Sequence, residues 1–293
     1  MPTTLQIARQ NAQTYDFYRD GFVVSDGPLV DAETVASLRE HCEAVLNGHY
    51  ETGRAPRSNT GGPDVAKHPP YIEASFPQYS DRTISRFLTY PALGEWVGRV
   101  TQFSRAQVIM AMTMKKYPGK DRESRVGWHQ DRRYLDTYAR SGAFVNLWIA
   151  LDEVSLDTGP VRFVRRSHLW NLAYSSGFFD RELDESSFKV PEGEKWEAVD
   201  AALPAGWATL HGPGTLHGSG RCVGARPRLS ILFTIGLSSP GHEVALDPEH
   251  DWAKRMADRV VCPVIYEAPE SEIRPIPQEA YLFDVHPKVI THA

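Results

Sequence analysis

The chain has 293 residues, 41% of them apolar and 24% charged, a composition ordinary for a soluble globular protein and unlike disordered, collagenous or membrane chains. Its 32 basic against 37 acidic residues give a net charge of −5, and the basic residues fall in short clusters, so no stripe for a phosphate backbone is present and nucleic acid is not an expected partner. Cys42, Cys222 and Cys262 are odd in number and widely separated, which argues against a disulfide framework or a thiolate zinc site. With no h-region at the N-terminus and no apolar run near the ~20 residues of a membrane span, the expected setting is the cytoplasm, with no membrane contact.

A polar, helical opening leads to a short strand at Gly21-Phe22-Val23-Val24. Asp31 then suits the N-cap of a helix with Val35, Leu38, Cys42 and Val45 on one face. Residues 50–70, rich in Gly and Pro, read as a loop that orders around a ligand. Asp81 caps a short helix ending at Leu88, and Pro91 opens another that carries Leu93, Trp96, Val97 and Val100. Residues 1–104 thus read as a helical flank.

From residue 105 the texture changes to short β-rich runs: AQVIMAMTMKKY, AFVNLWIALDEV, PVRFVRRSH, GWATLHG and RLSILFTIGL, each bounded by turn formers. The spacing predicts a barrel or sandwich over 105–237. Residues 171–203 interrupt it with many acids and with Phe178, Phe179, Phe188 and Trp196, a length and composition that suit a lid over a substrate. Residues 238–293 form a C-terminal extension of a single 1–293 domain, and no repeat suggests a solenoid or propeller.

Three His-x-Asp/Glu matches occur where about 1.4 are expected from composition, so the pattern alone carries nothing. Position separates them. His41 and Glu43 lie in the capped helix, where residues two apart diverge by roughly 200°. His49 and Glu51 follow it with no β pattern. His129 and Asp131 lie in the β-rich half, where a strand places both on one face to chelate an ion. A redox metal that also holds a co-substrate and dioxygen needs one more imidazole and leaves three positions open. The segment Thr215-Leu-His217-Gly-Ser219 supplies it, and Arg228 follows His217 at the head of the apolar strand LSILFTI. His211, six residues earlier, competes for the same role, but the spacing to Arg228 and the following Gly-Ser favour His217, which leaves His211 to pack or hydrogen-bond nearby.

The order His129-x-Asp131, His217-Gly-Ser219, Arg228 resembles the Fe(II)- and 2-oxoglutarate-dependent dioxygenases of the phytanoyl-CoA dioxygenase type. Tyr18-Arg-Asp-Gly21-Phe-Val-Val resembles the family's opening strand, and Asn146-Leu-Trp148-Ile-Ala-Leu-Asp152 through Thr158-Gly159-Pro160 its central strands and turn, so the likeness covers roughly residues 15–236. It implies a mainly β fold with flanking helices, a double-stranded β-helix (jelly roll, cupin-like), with iron held by His129, Asp131 and His217. Arg228 offers a planar fork for the distal carboxylate of 2-oxoglutarate, joined, as the resemblance implies, by Ser219. Alternation puts Asn146 and Trp148 on the cavity face of their strand. Lys115 and Lys116 are weaker candidates for anion contact. The implied cofactors are Fe(II), 2-oxoglutarate and dioxygen, and the implied activity is oxidation, usually hydroxylation, of a C–H bond in a small molecule, a natural product or amino acid derivative, with release of succinate and CO2. Desaturation, epoxidation or ring closure would use the same centre. The rival classes are a ligand-binding β-barrel without turnover and a zinc hydrolase, which would not need the arginine–serine pair. One departure from the family stands at Arg165-Arg166-Ser167-His168, where Pro-Gly usually precedes Ser-His. The arginines there, like Arg132 and Arg133, are either solvated or near an anionic substrate.

Overall fold

The computed structural model describes residues 4–119, 124–135, 137–170 and 188–284. Its helices are α1 (Thr4–Asp20), α2 (Ala32–Leu46), α3 (Arg82–Phe87), α4 (Pro91–Thr101), α5 (Arg132–Leu135) and α6 (Asp251–Ala257). The strands are β1 (Phe22–Val24), β2 (Ser58–Asn59), β3 (Tyr71–Ser75), β4 (Arg105–Lys116), β5 (Val126–His129), β6 (Ala139–Ser141), β7 (Ala143–Ala150), β8 (Val161–Val164), β9 (Ala198–Ala201), β10 (Ala208–His211), β11 (His217–Ser219), β12 (Arg228–Ser238), β13 (Ala245–Leu246) and β14 (Val264–Glu267). Two helix starts are fixed by their caps: Asp31 accepts from the Thr34 amide at 2.8 Å and Asp81 from the Ile84 amide at 2.9 Å, each satisfying a donor that the first turn leaves open.

Two antiparallel sheets face each other, as the jelly-roll expectation requires. The large sheet runs β1-β10-β7-β12-β4-β3-β2, with β14 also on β4, and the small one runs β5-β11-β8-β9. The outer face of the large sheet packs Val145, Leu147, Ile149, Ile231 and Phe233 against Leu38, Cys42, Trp96 and Val97 of α2 and α4, which forms the main core. Its inner face looks into the space between the sheets. Along β4 the pairing with β12 skips Ile109, and this bulge lets Ala106 and Val108 share the core face with Ala111 while Met110, Met112 and Met114 turn inward. Among the described residues no helix is long and apolar enough to cross a membrane.

Three expectations need correction. Residues 1–104 are more than a helical flank, because β1 and β3 are members of the large sheet, as is β14 from the C-terminal extension. That extension also stacks Phe283 on Phe17, with ring centroids 4.6 Å apart. Of the expected lid, residues 171–187, including Phe178 and Phe179, lie outside the described residues. Residues 188–203 do not line the cavity: β9 extends the small sheet beside β8, and Phe188 and Trp196 pack with Trp128 on its outer side. Third, the turn at Arg166 survives the loss of glycine by placing that arginine in the left-handed region, φ +63°, where its guanidinium pairs with Glu194. Arg165 pairs with Asp20 and Glu197, so neither arginine faces the cavity.

Candidate metal centre and co-substrate pocket

His129 ends β5 and His217 begins β11, and the two are direct partners across the antiparallel pair. Cross-strand partners point their side chains the same way, which brings the two imidazole centroids to 4.2 Å. The intervening Gly218 has its own reason: a Cβ there would lie 3.0 Å from the Val126 carbonyl of β5. Asp131 is not on a strand, as the His-x-Asp spacing suggested. β5 stops at His129, and Asp131 sits in the turn whose carbonyl receives the Tyr134 and Leu135 amides, so a strand end and a turn together aim the carboxylate.

His129 Nε2 lies 3.5 Å from Asp131 Oδ1, and His217 Nε2 lies 3.5 Å from Oδ2. Each histidine's Nδ1 faces a carbonyl two residues upstream, Gly127 at 2.8 Å and Thr215 at 2.9 Å. A carbonyl only accepts, so both Nδ1 atoms carry the proton and both Nε2 lone pairs face the carboxylate, as metal-ligating imidazoles need. Ligand atoms of His129, Asp131 and His217 all fall within 4.8 Å of one another. Burial, helped by His129, pushes His217 well below the usual imidazole range, so it is neutral at physiological pH.

His211 plays a different part. It is 1% exposed, its Nε2 is 3.3 Å from Asp131 Oδ2, and its Nδ1 has no partner among the described residues. Its proton therefore belongs on Nε2, donated to the carboxylate. Asn146 Nδ2 donates to the same oxygen at 2.5 Å, so two neighbours hold Asp131 in place.

At the other end of the same cavity Arg228 and Lys116 are partners across β12 and β4, 2% and 0% exposed. Arg228 donates Nη1–H to the Gly159 carbonyl at 2.5 Å and lies over the Trp148 ring at 5.2 Å, while its buried Nε has no partner among the described residues. Burial pushes its guanidinium down to about 10. Lys116 Nζ donates to Ser219 Oγ and to the Gly220 carbonyl, both at 2.6 Å. Its neighbour Lys115 points the other way, to Glu43 on α2 at 2.7 Å. Two imidazoles with one carboxylate suit a divalent iron with open positions, and a desolvated guanidinium with an unused N–H suits a carboxylate, so the residues fit both groups. The cavity that joins the two ends measures about 350 Å³.

The model of the phytanoyl-CoA dioxygenase family, PhyH, matches residues 17–230. The chain belongs to the phytanoyl-CoA dioxygenase family. It is thus a non-haem enzyme dependent on iron and 2-oxoglutarate. Among curated protein sequences, none matches the chain. Solved structures of similar fold include the epimerase SnoN in complex with Fe3+, alpha ketoglutarate and nogalamycin RO (21% identity, TM-score 0.64, 90% of this chain and 96% of that one). Another is the non-haem alpha ketoglutarate dependent carbocyclase SnoK from nogalamycin biosynthesis (18% identity, TM-score 0.63, 87% and 95%).

The structure brings every singled-out site residue, His129, Asp131, His217, Ser219, Arg228, Asn146 and Trp148, to the lining of this one cavity. The opening-strand motif is explained by Gly21, φ +86°, where a Cβ would lie 2.5 Å from the His168 ring. Sequence reasoning missed Tyr71 and Glu73, which also line the cavity. The alternation Tyr71-Ile72-Glu73 was the available signal, hidden because 1–104 read as helical. Arg132 and Arg133 lie off the cavity, with Arg132 Nη2 donating to the Leu282 carbonyl at 3.1 Å.

Proposed function

We propose that this single domain uses Fe(II), 2-oxoglutarate and dioxygen to oxidise a C–H bond of a small molecule, by hydroxylation, releasing succinate and CO2. The observation that carries the reading is the pair of Nε2 atoms, each 3.5 Å from the Asp131 carboxylate with its Nδ1 proton held by the chain's own carbonyls. His129, Asp131 and His217 would hold the iron, and Arg228 with Ser219 would receive the distal carboxylate of 2-oxoglutarate. When bound, iron and 2-oxoglutarate supply the oxidising power for C–H cleavage. The chain's work is placement. His211 and Asn146 fix the carboxylate, Trp148 packs against the guanidinium, and Lys116 orients the Ser219 hydroxyl. The apolar wall of the cavity keeps water from the reacting bond.

A second reading has support from the neighbours, since one is an epimerase and another a carbocyclase. There the same chemistry would end in inversion or ring closure, depending on which bond the substrate presents. The test is incubation with iron, ascorbate, 2-oxoglutarate and a metabolite library, read by mass spectrometry. Gain of one oxygen supports hydroxylation, loss of two hydrogens supports ring closure or desaturation, and absence of Fe(II)-dependent succinate contradicts the oxygenase reading.

A further inference from the structure

Beyond the metal and co-substrate ends, the cavity carries one more acid. β3 lies beside β4 with Glu73 opposite Met114, and Tyr71 and Glu73, two apart on one face, both look into the cavity. Tyr71 donates its hydroxyl to Glu73 Oε2 at 2.7 Å. Among the described residues no cation pairs with Glu73, whose side chain is met by Tyr71 alone, and burial raises its carboxyl above the ordinary carboxylate range. The walls around it are the thioethers of Met110, Met112 and Met114 with Leu232 and Val161. The other charges have their own roles: Asp131 lies among three imidazoles, Lys116, opposite Tyr71 on β4, is bonded to Ser219 and Gly220, and the free N–H of Arg228 is the one that the co-substrate carboxylate would take.

A carboxyl in an apolar cavity without a cation costs stability, and a glutamine or an apolar residue would sit there at less cost. Such a group fits a partner that arrives from solution with the missing charge. We propose that Glu73, oriented by Tyr71, is the specificity-determining residue of this cavity and receives a basic nitrogen on a compact, otherwise apolar substrate. The inference rests on the oxygenase reading above and names its substrate class. Methionine side chains adapt to irregular apolar frames, so the wall sets size loosely while Glu73 sets the polar contact.

The test uses the full-length protein loaded anaerobically with Fe(II) and 2-oxoglutarate, and three probes of one shape: phenethylamine, phenethyl alcohol and hydrocinnamate. Calorimetry on the wild type is expected to give the amine at least ~10-fold tighter binding than the alcohol, with the acid weakest. In Glu73→Gln the amine preference should fall to about 2-fold or less while alcohol binding stays. Equal binding of the three probes by the wild type, failure of the amine to bind, or an unchanged preference in Glu73→Gln overturns the proposal. Thermal unfolding excludes a purely structural role. The raised carboxyl loses stability as pH rises through its folded-state pKa, so Glu73→Gln is expected to melt no lower than wild type at neutral pH, and a clear drop contradicts the assignment. If the wild type forms no 2-oxoglutarate charge-transfer band, the oxygenase reading itself fails. If the band forms and the amine is not preferred, only the Glu73 assignment fails.

Discussion

The two faces of the large sheet are built from the same strands to opposite ends. On β12, Ile231 and Phe233 pack into the helix-covered core, while Arg228, Leu232 and Thr234 line the cavity. On β7, Val145, Leu147 and Ile149 look outward and Asn146 and Trp148 inward. The outer face is dry and filled. The inner face buries a guanidinium, an ammonium and an amide against an open volume, which a stability-driven core would not do. The fold is therefore held from outside the sheet, which leaves the inside free for chemistry.

The sharpest way to break that division is to remove a metal ligand. His129→Ala, Asp131→Ala or His217→Ala should lower Fe(II)-dependent turnover by several orders of magnitude and abolish stoichiometric iron binding in equilibrium dialysis, with a melting temperature near wild type. His211→Ala should keep the metal but weaken it by ~10- to 100-fold, because it orients Asp131 without being a ligand. The reverse ranking of His211 and His217 would show that the ligand set is misassigned.

A pair of substitutions on opposite faces sharpens the comparison. Phe233→Ala on the filled face should cost ~3–5 kcal/mol in denaturant unfolding, whereas Met112→Ala, beside an existing cavity, should cost only about 1 kcal/mol. Met112→Ala should instead change substrate affinity. Comparable losses would mean that the cavity face is structural after all.

Acid should act through His168, which sits against Gly21 and donates Nε2–H to the Tyr18 carbonyl at 3.2 Å. Burial lowers its pKa from 6.5 to about 4. The unfolded chain takes up the proton first, so stability rises with pH across that window and about 3 kcal/mol should be lost between pH 6.5 and 4. In His168→Gln that part of the pH dependence should vanish, as read by urea unfolding at each pH.

Much of this was legible from residues alone where local chemistry decides. Asp31 and Asp81 cap the helices they were expected to cap, and the alternation along 144–151 placed Asn146 and Trp148 correctly on the cavity face. Legibility failed where tertiary pairing decides. β3 joins the large sheet through β4, which no local pattern announces, and with it came Glu73. The bulge that skips Ile109 resets the alternation of β4, so its methionines were not assigned to the cavity. The aromatics Phe188 and Trp196 looked like a cover because sequence does not reveal on which side of a sheet an edge strand's neighbours pack. Spacing alone separates His211 from His217 only as a preference, and the tautomers supply the physical distinction: the Thr215 carbonyl holds the His217 proton on Nδ1, whereas His211, whose Nδ1 has no partner among the described residues, carries its proton on Nε2.

The central claim, an iron centre at His129, Asp131 and His217 facing a co-substrate clamp at Arg228, is tested most directly by anaerobic titration of 2-oxoglutarate into the Fe(II) protein, followed by its charge-transfer band. Charge-assisted hydrogen bonds from a buried guanidinium are worth ~1.5 to 3 kcal/mol, so Arg228→Ala should weaken 2-oxoglutarate by roughly 10- to 150-fold. Arg228→Lys, which keeps the charge but loses the fork, should weaken it by less, with iron affinity nearly unchanged in both variants. An Arg228→Ala protein that titrates like wild type, or a wild type that develops no band, would contradict the account.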